Sequence, residues 1–289
     1  MPAPPAAQYT LVAEGPLPTA RLRVHHLHTR PLAARTPPVL LLGGSNADLR
    51  LKRGFLATAL CATHELVTYE PRGIGRTQQP PGIWTLTDYA ADALAVLDAL
   101  GWDRALVLGE SFGGMTALHL AARAPDRVIG LAIASTVAGG VGGGSVDISP
   151  FLALSRSEAA HASMVLQDTA MGELEAAQPH IFEQKHAERV QFETAFTTPS
   201  ITSGGYARLL AARRGHDVWD RLEAITLPTT VITGAGDGQA PPAAQLKMAR
   251  RLPQAHVRLY DAGHGLVFTI PQVIAALLRD WANVTTTAN

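Results

Sequence analysis

The sequence is poor in several things that would each point to a particular way of life. Among 289 residues there is one cysteine, Cys61, which excludes an intrachain disulfide framework and suits a reducing compartment. With no motif around it, Cys61 reads as a small buried apolar group rather than a nucleophile. Neither sign of charge is in excess: Lys plus Arg and Asp plus Glu are 24 each. No overall field therefore draws the chain to nucleic acid or to an anionic membrane surface. No uninterrupted apolar stretch approaches the roughly 20 residues that a membrane-spanning helix requires. Met1 to Ala7 is rich in Pro and Ala but lacks a basic region followed by an apolar one, so it is no secretory signal. Asn283-Val284-Thr285 fits a glycosylation acceptor but reads as a solvated tail in a chain expected to be cytoplasmic. These absences predict no nucleic-acid and no membrane partner, and leave self-association into a homo-oligomer open.

What the chain has is apolar residues, 47% of the total against 17% charged, enough for a full core. They recur as short runs separated by helix-like stretches. Tyr9 to His28 alternates well enough for two short strands, with a turn at Gly15-Pro16-Leu17-Pro18. Its His26 and His28 share a strand face but lack a completing ligand set, so they read as surface-strand residues and no metal site is expected. Val39 to Leu42 and Leu66 to Tyr69 are compact strands, with a helix expected over Leu49 to Leu60 between them. Thr85 to Leu100 reads as a capped helix ending at Gly101, followed by a strand at Ala105 to Leu108, a helix at Met115 to Arg123 and a strand at Val128 to Ala134.

Such alternation predicts an α/β protein with a mostly parallel central sheet flanked by helices. The C-terminal ends of its strands then share one edge, where such folds do chemistry. After the sixth strand the rhythm breaks. A glycine-rich stretch, Ala138 to Ser145, leads into helical sequence from about Ser149 to Thr202 with mainly apolar character. The expected organisation is a core of residues 1–136 and 206–289, with a helical cap of residues 137–205 inserted over the strand ends. Alternation resumes with strands at Thr229 to Thr233 and His256 to Tyr260 and helices at Pro242 to Leu252 and Pro271 to Trp281.

Gly109-Glu110-Ser111-Phe112-Gly113-Gly114 sits between a strand and a helix. A serine on so sharp a turn takes a strained backbone conformation that exposes its hydroxyl, and only small residues two places to either side leave room. A hydroxyl needs a base to take its proton and a third group to orient that base. His264, in Asp261-Ala262-Gly263-His264-Gly265 after the last strand, and Asp237, in Gly234-Ala235-Gly236-Asp237-Gly238 after the preceding one, occupy the matching loops. Glu110 reads as structural, its side chain directed into the shoulder of the sheet. The oxyanion donors expected are the amides of Phe112 and, after the Val39 to Leu42 strand, of Ser45, with Gly43 and Gly44 allowing close approach. Gly44, Met164, Phe192, Tyr206 and Leu266 are the expected pocket residues, and the Phe112 ring is expected to form a pocket wall.

On Gly109 to Gly114, Glu70 to Arg76, Asp237, His264 and Gly204-Gly205-Tyr206, the chain resembles the α/β-hydrolase superfamily. The resemblance is to the branch of 3-oxoadipate enol-lactonases, carbon–carbon bond hydrolases, cofactor-independent haloperoxidases and small esterases. Two departures stand out: Gly43-Gly44 where the family usually has His-Gly, and Glu70 where it usually has Asp. Serine at 111 separates the chain from the dehalogenases and epoxide hydrolases that use aspartate there. The resemblance implies a cofactor-free hydrolase that opens a small-molecule ester or lactone through an acyl-enzyme. Carbon–carbon hydrolysis of a diketone, acyl transfer, and a non-catalytic ligand-binding or signalling role remain alternatives.

Overall fold

The computed structural model describes residues 8–32, 36–50 and 53–287; the Met1 to Ala7 segment lies outside them. Its framework follows from the short apolar runs. In a strand, successive side chains point to opposite faces, so a run that is apolar throughout must be covered on both sides. Eight strands form one sheet: β1 (Tyr9–Pro18), β2 (Arg23–Pro31), β3 (Val39–Leu42), β4 (Leu66–Tyr69), β5 (Ala105–Glu110), β6 (Val128–Ala134), β7 (Thr229–Gly234) and β8 (Ala255–Tyr260). Their spatial order is β1-β2-β4-β3-β5-β6-β7-β8. β3 to β8 run parallel, while β2 meets β4, and β1 meets β2, antiparallel.

The helices are α1 (Ala59–Thr63), α2 (Leu86–Ala99), α3 (Phe112–Arg123), α4 (Arg156–Gln167), α5 (Ala170–Ala177), α6 (Pro179–Phe192), α7 (Thr198–Thr202), α8 (Gly205–Arg214), α9 (Pro242–Ala249) and α10 (Pro271–Thr287). The pleat divides the core as expected. Leu40, Leu42, Val67 and Val107 bury against α2 and α3 on one face, through residues such as Val96, Leu97, Leu118 and Leu120. Val39, Leu41, Leu66, Leu106 and Leu108 bury with Ile274, Leu277 and Trp281 of α10 on the other. A third cluster joins Trp84, Tyr89, Phe112 and Met115 to Leu209 and Leu210 of α8.

Strand order reverses about β3, which has β4 on one side and β5 on the other. At such a point successive connections leave toward opposite faces and a crevice opens beyond the strand ends. The loops after β3 and β5 meet there. α4 to α7 all come from the chain between β6 and β7, the helical insertion after the sixth strand.

Several expectations are corrected in detail. The first hairpin turns at residues 19–22, not at Gly15 to Pro18, which pair with β2. The helix expected over Leu49 to Leu60 is a 3₁₀ turn at Gly54–Ala57 followed by the short α1; part of the expected span lies outside the described residues. Asn283-Val284-Thr285 is no tail, since α10 continues to Thr287. His26 and His28 are buried rather than on the surface: His26 Nδ1 lies 2.8 Å from the Gly15 carbonyl oxygen, and His28 Nε2 lies 2.7 Å from Glu65. Cys61 is buried, and burial pushes its thiol up to about 11. Among the described residues, no group of three or more His, Cys, Asp or Glu is placed to hold a metal ion. Among the described residues, no helix is long and apolar enough to cross a membrane.

Candidate active site

Ser111 stands between β5 and α3 with φ +53° and ψ −117°, a region that side-chain-bearing residues rarely occupy. Surrounding hydrogen bonds hold it there. Its amide donates to Ala134 O at 2.8 Å, and its carbonyl accepts from Thr136 Oγ1 at 2.9 Å. The flanking glycines are required for a steric reason: a Cβ at Gly113 would overlap the Leu42 carbonyl, and one at Gly109 would overlap the Gly113 backbone. Gly44 lies in the loop that abuts the Ser111 side chain.

His264, after β8, reaches the same point. Its backbone amide donates to Gln167 O at 2.7 Å, and its carbonyl accepts from Ser135 Oγ at 2.6 Å. Its Nε2 lies 2.8 Å from Ser111 Oγ, and its Nδ1 lies 2.9 Å from each Asp237 carboxylate oxygen. All three residues are buried. Asp237 Oδ1 accepts from the amides of Gln239 at 3.0 Å and Ala240 at 2.8 Å, and Oδ2 accepts from Gln245 Nε2 at 3.3 Å. A carboxylate with so many donors is an acceptor throughout, which places the imidazole proton on Nδ1 and leaves a lone pair on Nε2 facing the serine. The arrangement can move a proton from a hydroxyl to a ring nitrogen.

Ser111 and His264 border a cavity of about 370 Å³. Gly44, Ser45 and Tyr206 line it, and burial pushes the Tyr206 phenol up to about 12. Ser45 Oγ is buried without a hydrogen-bond partner among the described residues. The Phe112 amide opens α3, where no intrahelical acceptor exists for it.

Four expected pocket features lie elsewhere. The cavity is not lined by Met164, Phe192, Leu266 or the Phe112 ring. Met164 is buried within α4, Phe192 packs on Phe196 with Arg189 over its ring, and Leu266 belongs to the core on the α10 side. Phe112 stands edge-on to Tyr89 at 4.7 Å between ring centres. Helical spacing shows that a side chain is apolar, not which of two adjoining spaces it fills. Glu110 is among the residues that border the cavity. Glu70 is structural as expected: fully buried, its carboxylate accepts from Leu49 N at 3.1 Å and from Arg76 Nη2 at 2.6 Å, pinning two loops.

The helical side of the cavity is more polar than the sequence suggests. Arg156, Gln167, Arg189 and Glu193 line it together with Asn46 and Gln239. Arg189 Nε donates to Glu193 Oε1 at 3.0 Å and Nη1 to Gln167 Oε1 at 3.3 Å. Glu193 is brought inward by a π-helical turn, Glu193–Thr197, that interrupts the run from α6 into α7. Of these residues only Gln239 carries a sequence signal, its place two residues after Asp237 in the same loop.

A model of the alpha/beta hydrolase fold matches residues 37–271 of the chain. RutD of Caulobacter vibrioides strain NA1000, a protein with a provisional carbamate-hydrolase name, is 31% identical over 86% of this chain and 90% of its own. Among solved structures, the enol-lactonase from Burkholderia xenovorans LB400 superimposes with a TM-score of 0.69 at 23% identity, covering 93% of this chain and 98% of that one. The 2-hydroxy-6-oxo-6-phenylhexa-2,4-dienoate hydrolase of Rhodococcus sp. strain RHA1 superimposes with a TM-score of 0.76 at 16% identity, covering 95% and 99%.

Proposed function

This chain belongs to the alpha/beta-hydrolase family, and on that premise we propose that it cleaves a small-molecule carboxylic ester or lactone through an acyl-enzyme. One observation carries the reading: a serine held at φ +53° presents its Oγ 2.8 Å from an imidazole nitrogen inside a cavity. Strain of that kind persists only where the surroundings enforce it, and it concentrates at reacting groups. RutD's name points the same way, since a carbamate is also opened by attack on an acyl carbon.

Ser111 Oγ bonds to the substrate carbonyl carbon while its proton passes to His264 Nε2. Asp237 stabilises the resulting imidazolium through Nδ1–H, and the amides of Ser45 and Phe112 receive the charge that develops on the carbonyl oxygen. The carbon–oxygen bond to the leaving group then breaks, and the leaving oxygen takes the proton from Nε2. Water repeats the sequence in reverse and frees the acid. The steps need only side chains, backbone amides and water. We propose that residues 137–205 act as the cap that closes the cavity over the acyl group.

Substituting Ser111→Ala lowers hydrolysis of p-nitrophenyl butyrate by at least about a thousandfold and leaves the far-UV circular dichroism spectrum unchanged. Retained turnover in that variant overturns the assignment. The polar helical wall, Arg156, Gln167, Arg189 and Glu193, keeps carbon–carbon hydrolysis of a diketone as the second reading. Rates on an ester and on a vinylogous diketone, measured side by side, separate the two.

A further inference from the structure

The geometry points to Gln239 as a further catalytic residue, one that hydrogen-bonds the leaving-group oxygen during acylation and the attacking water during deacylation. The inference rests on the acyl-enzyme reading above and adds a preference to it: for a leaving atom that can accept a hydrogen bond.

Gln239 Nε2 lies 3.0 Å from His264 Nε2, the same nitrogen that Ser111 Oγ approaches at 2.8 Å. Because Nδ1–H is committed to Asp237, Nε2 has one lone pair, so both neighbours must present donors to it. The orientation of the glutamine amide is fixed from its far end as well. Arginine can only donate, so Arg189 Nη1, at 3.3 Å from Gln167, selects the oxygen of that side chain. The Gln167 amino group must then face Gln239 Oε1, as it does at 3.2 Å. That leaves the Gln239 amino group turned to His264. Requirements from both ends of the relay agree, and its middle link has the matching polarity.

One lone pair cannot serve two donors well, and the conflict is resolved once a substrate oxygen arrives. An oxygen that sits between the two nitrogens, which lie 3.0 Å apart, is within hydrogen-bond reach of both His264 Nε2 and the Gln239 amino group. In acylation, the bond from the acyl carbon to the leaving oxygen breaks and its electron pair stays on that oxygen. The oxygen receives the proton from Nε2–H while Gln239 donates to a second lone pair. In deacylation, a water oxygen bonds to the acyl carbon and yields its proton to Nε2, with Gln239 again holding a lone pair in place. The Ser111 Oγ bond to carbon then breaks and Ser111 recovers the proton. A carbon leaving group uses its one electron pair to take the proton and has no second lone pair for Gln239, so the residue favours ester and lactone oxygen over carbon–carbon cleavage.

The test uses a series of butyrate esters with a constant acyl group and leaving groups of rising basicity: p-nitrophenyl, phenyl, trifluoroethyl and ethyl. Gln239→Met keeps the side-chain length and removes the N–H. Its acylation rate for ethyl butyrate is expected to fall roughly tenfold to a hundredfold, the loss of one hydrogen bond to a developing charge. For p-nitrophenyl butyrate, whose leaving group needs no proton, the loss is expected within about twofold. Deacylation of the common butyryl-enzyme slows for every ester alike, which lowers kcat and KM together for p-nitrophenyl butyrate. Gln239→Asn, which retracts the amide by one carbon, gives the same graded pattern if Gln239→Met fails to fold. An equal loss across the series, as a merely structural role would give, or no loss at all, overturns the assignment. A burst of p-nitrophenol with a flat series removes only Gln239, whereas a burst that survives Ser111→Ala removes the acyl-enzyme itself.

Discussion

On the sheet side of the cavity, Gly109, Ser111 and Gly113 hold backbone against backbone, whereas on the helical side Arg189, Gln167 and Glu193 meet through the ends of long side chains. The first kind of contact tolerates one residue type, because a single added carbon overlaps a carbonyl oxygen. The second can be reached by many sequences and many helix placements. The rigid side is the place suited to a reacting group, since a displacement of about 1 Å costs rate. The adaptable side is free to set what enters.

The contrast can be broken most sharply at Gly113. Gly113→Ala forces a methyl into the Leu42 carbonyl. It is expected to cost about 3 kcal/mol or more, lowering the melting temperature by roughly 6–12 °C and abolishing ester turnover. A variant that melts within a degree of the parent would show that the sheet side yields as readily as the helical side.

Acid probes the structure behind these walls. Burial pushes His64 down to about 4, His216 to about 4 and His119, beside His216, to about 3. All three start from an unfolded value near 6.5. The unfolded chain thus binds more protons below that pH, and stability is lost as pH falls from about 6.5 toward 4. A fall in melting temperature between pH 7 and pH 5 is expected. His64→Asn is expected to flatten part of that slope, and scanning calorimetry across the range reads both.

The smallest effect belongs to the helical wall. Arg189→Met removes the donor that orients Gln167 and, through it, Gln239. Loss of one partly exposed polar contact is expected to lower kcat for ethyl butyrate about threefold, with the melting temperature nearly constant. A loss as large as that of Gln239→Met would place Arg189 in direct contact with substrate.

The legibility of each part follows the same division. Ser111, Asp237 and His264 are legible because each follows a short strand and has a glycine beside it or two residues away whose added Cβ would clash, Gly109 and Gly113, Gly238, and Gly263. Thr85 marks the start of α2, where it forms a reciprocal cap with Asp88. The N-terminal hairpin turns later than its residue types suggest because Gly15 and Pro16, turn residues by type, are tolerated within β1, a strand at the sheet edge. That Met164 and Phe192 pack within the helical insertion rather than on the cavity is not legible, because apolar spacing on a helix is the same whether its stripe faces a neighbour or a cavity.

By itself, then, the sequence determined the order of strands and helices, the insertion after β6 and the three side chains brought together at the strand ends, since local periodicity and backbone sterics are written in residue type. Only the tertiary structure decided that the helical wall is polar, that Phe112 belongs to the core, and that a relay runs from Arg189 through Gln167 and Gln239 to His264. Those contacts join residues distant in the chain, and their distances and polarity are fixed by the packing of whole helices against the sheet.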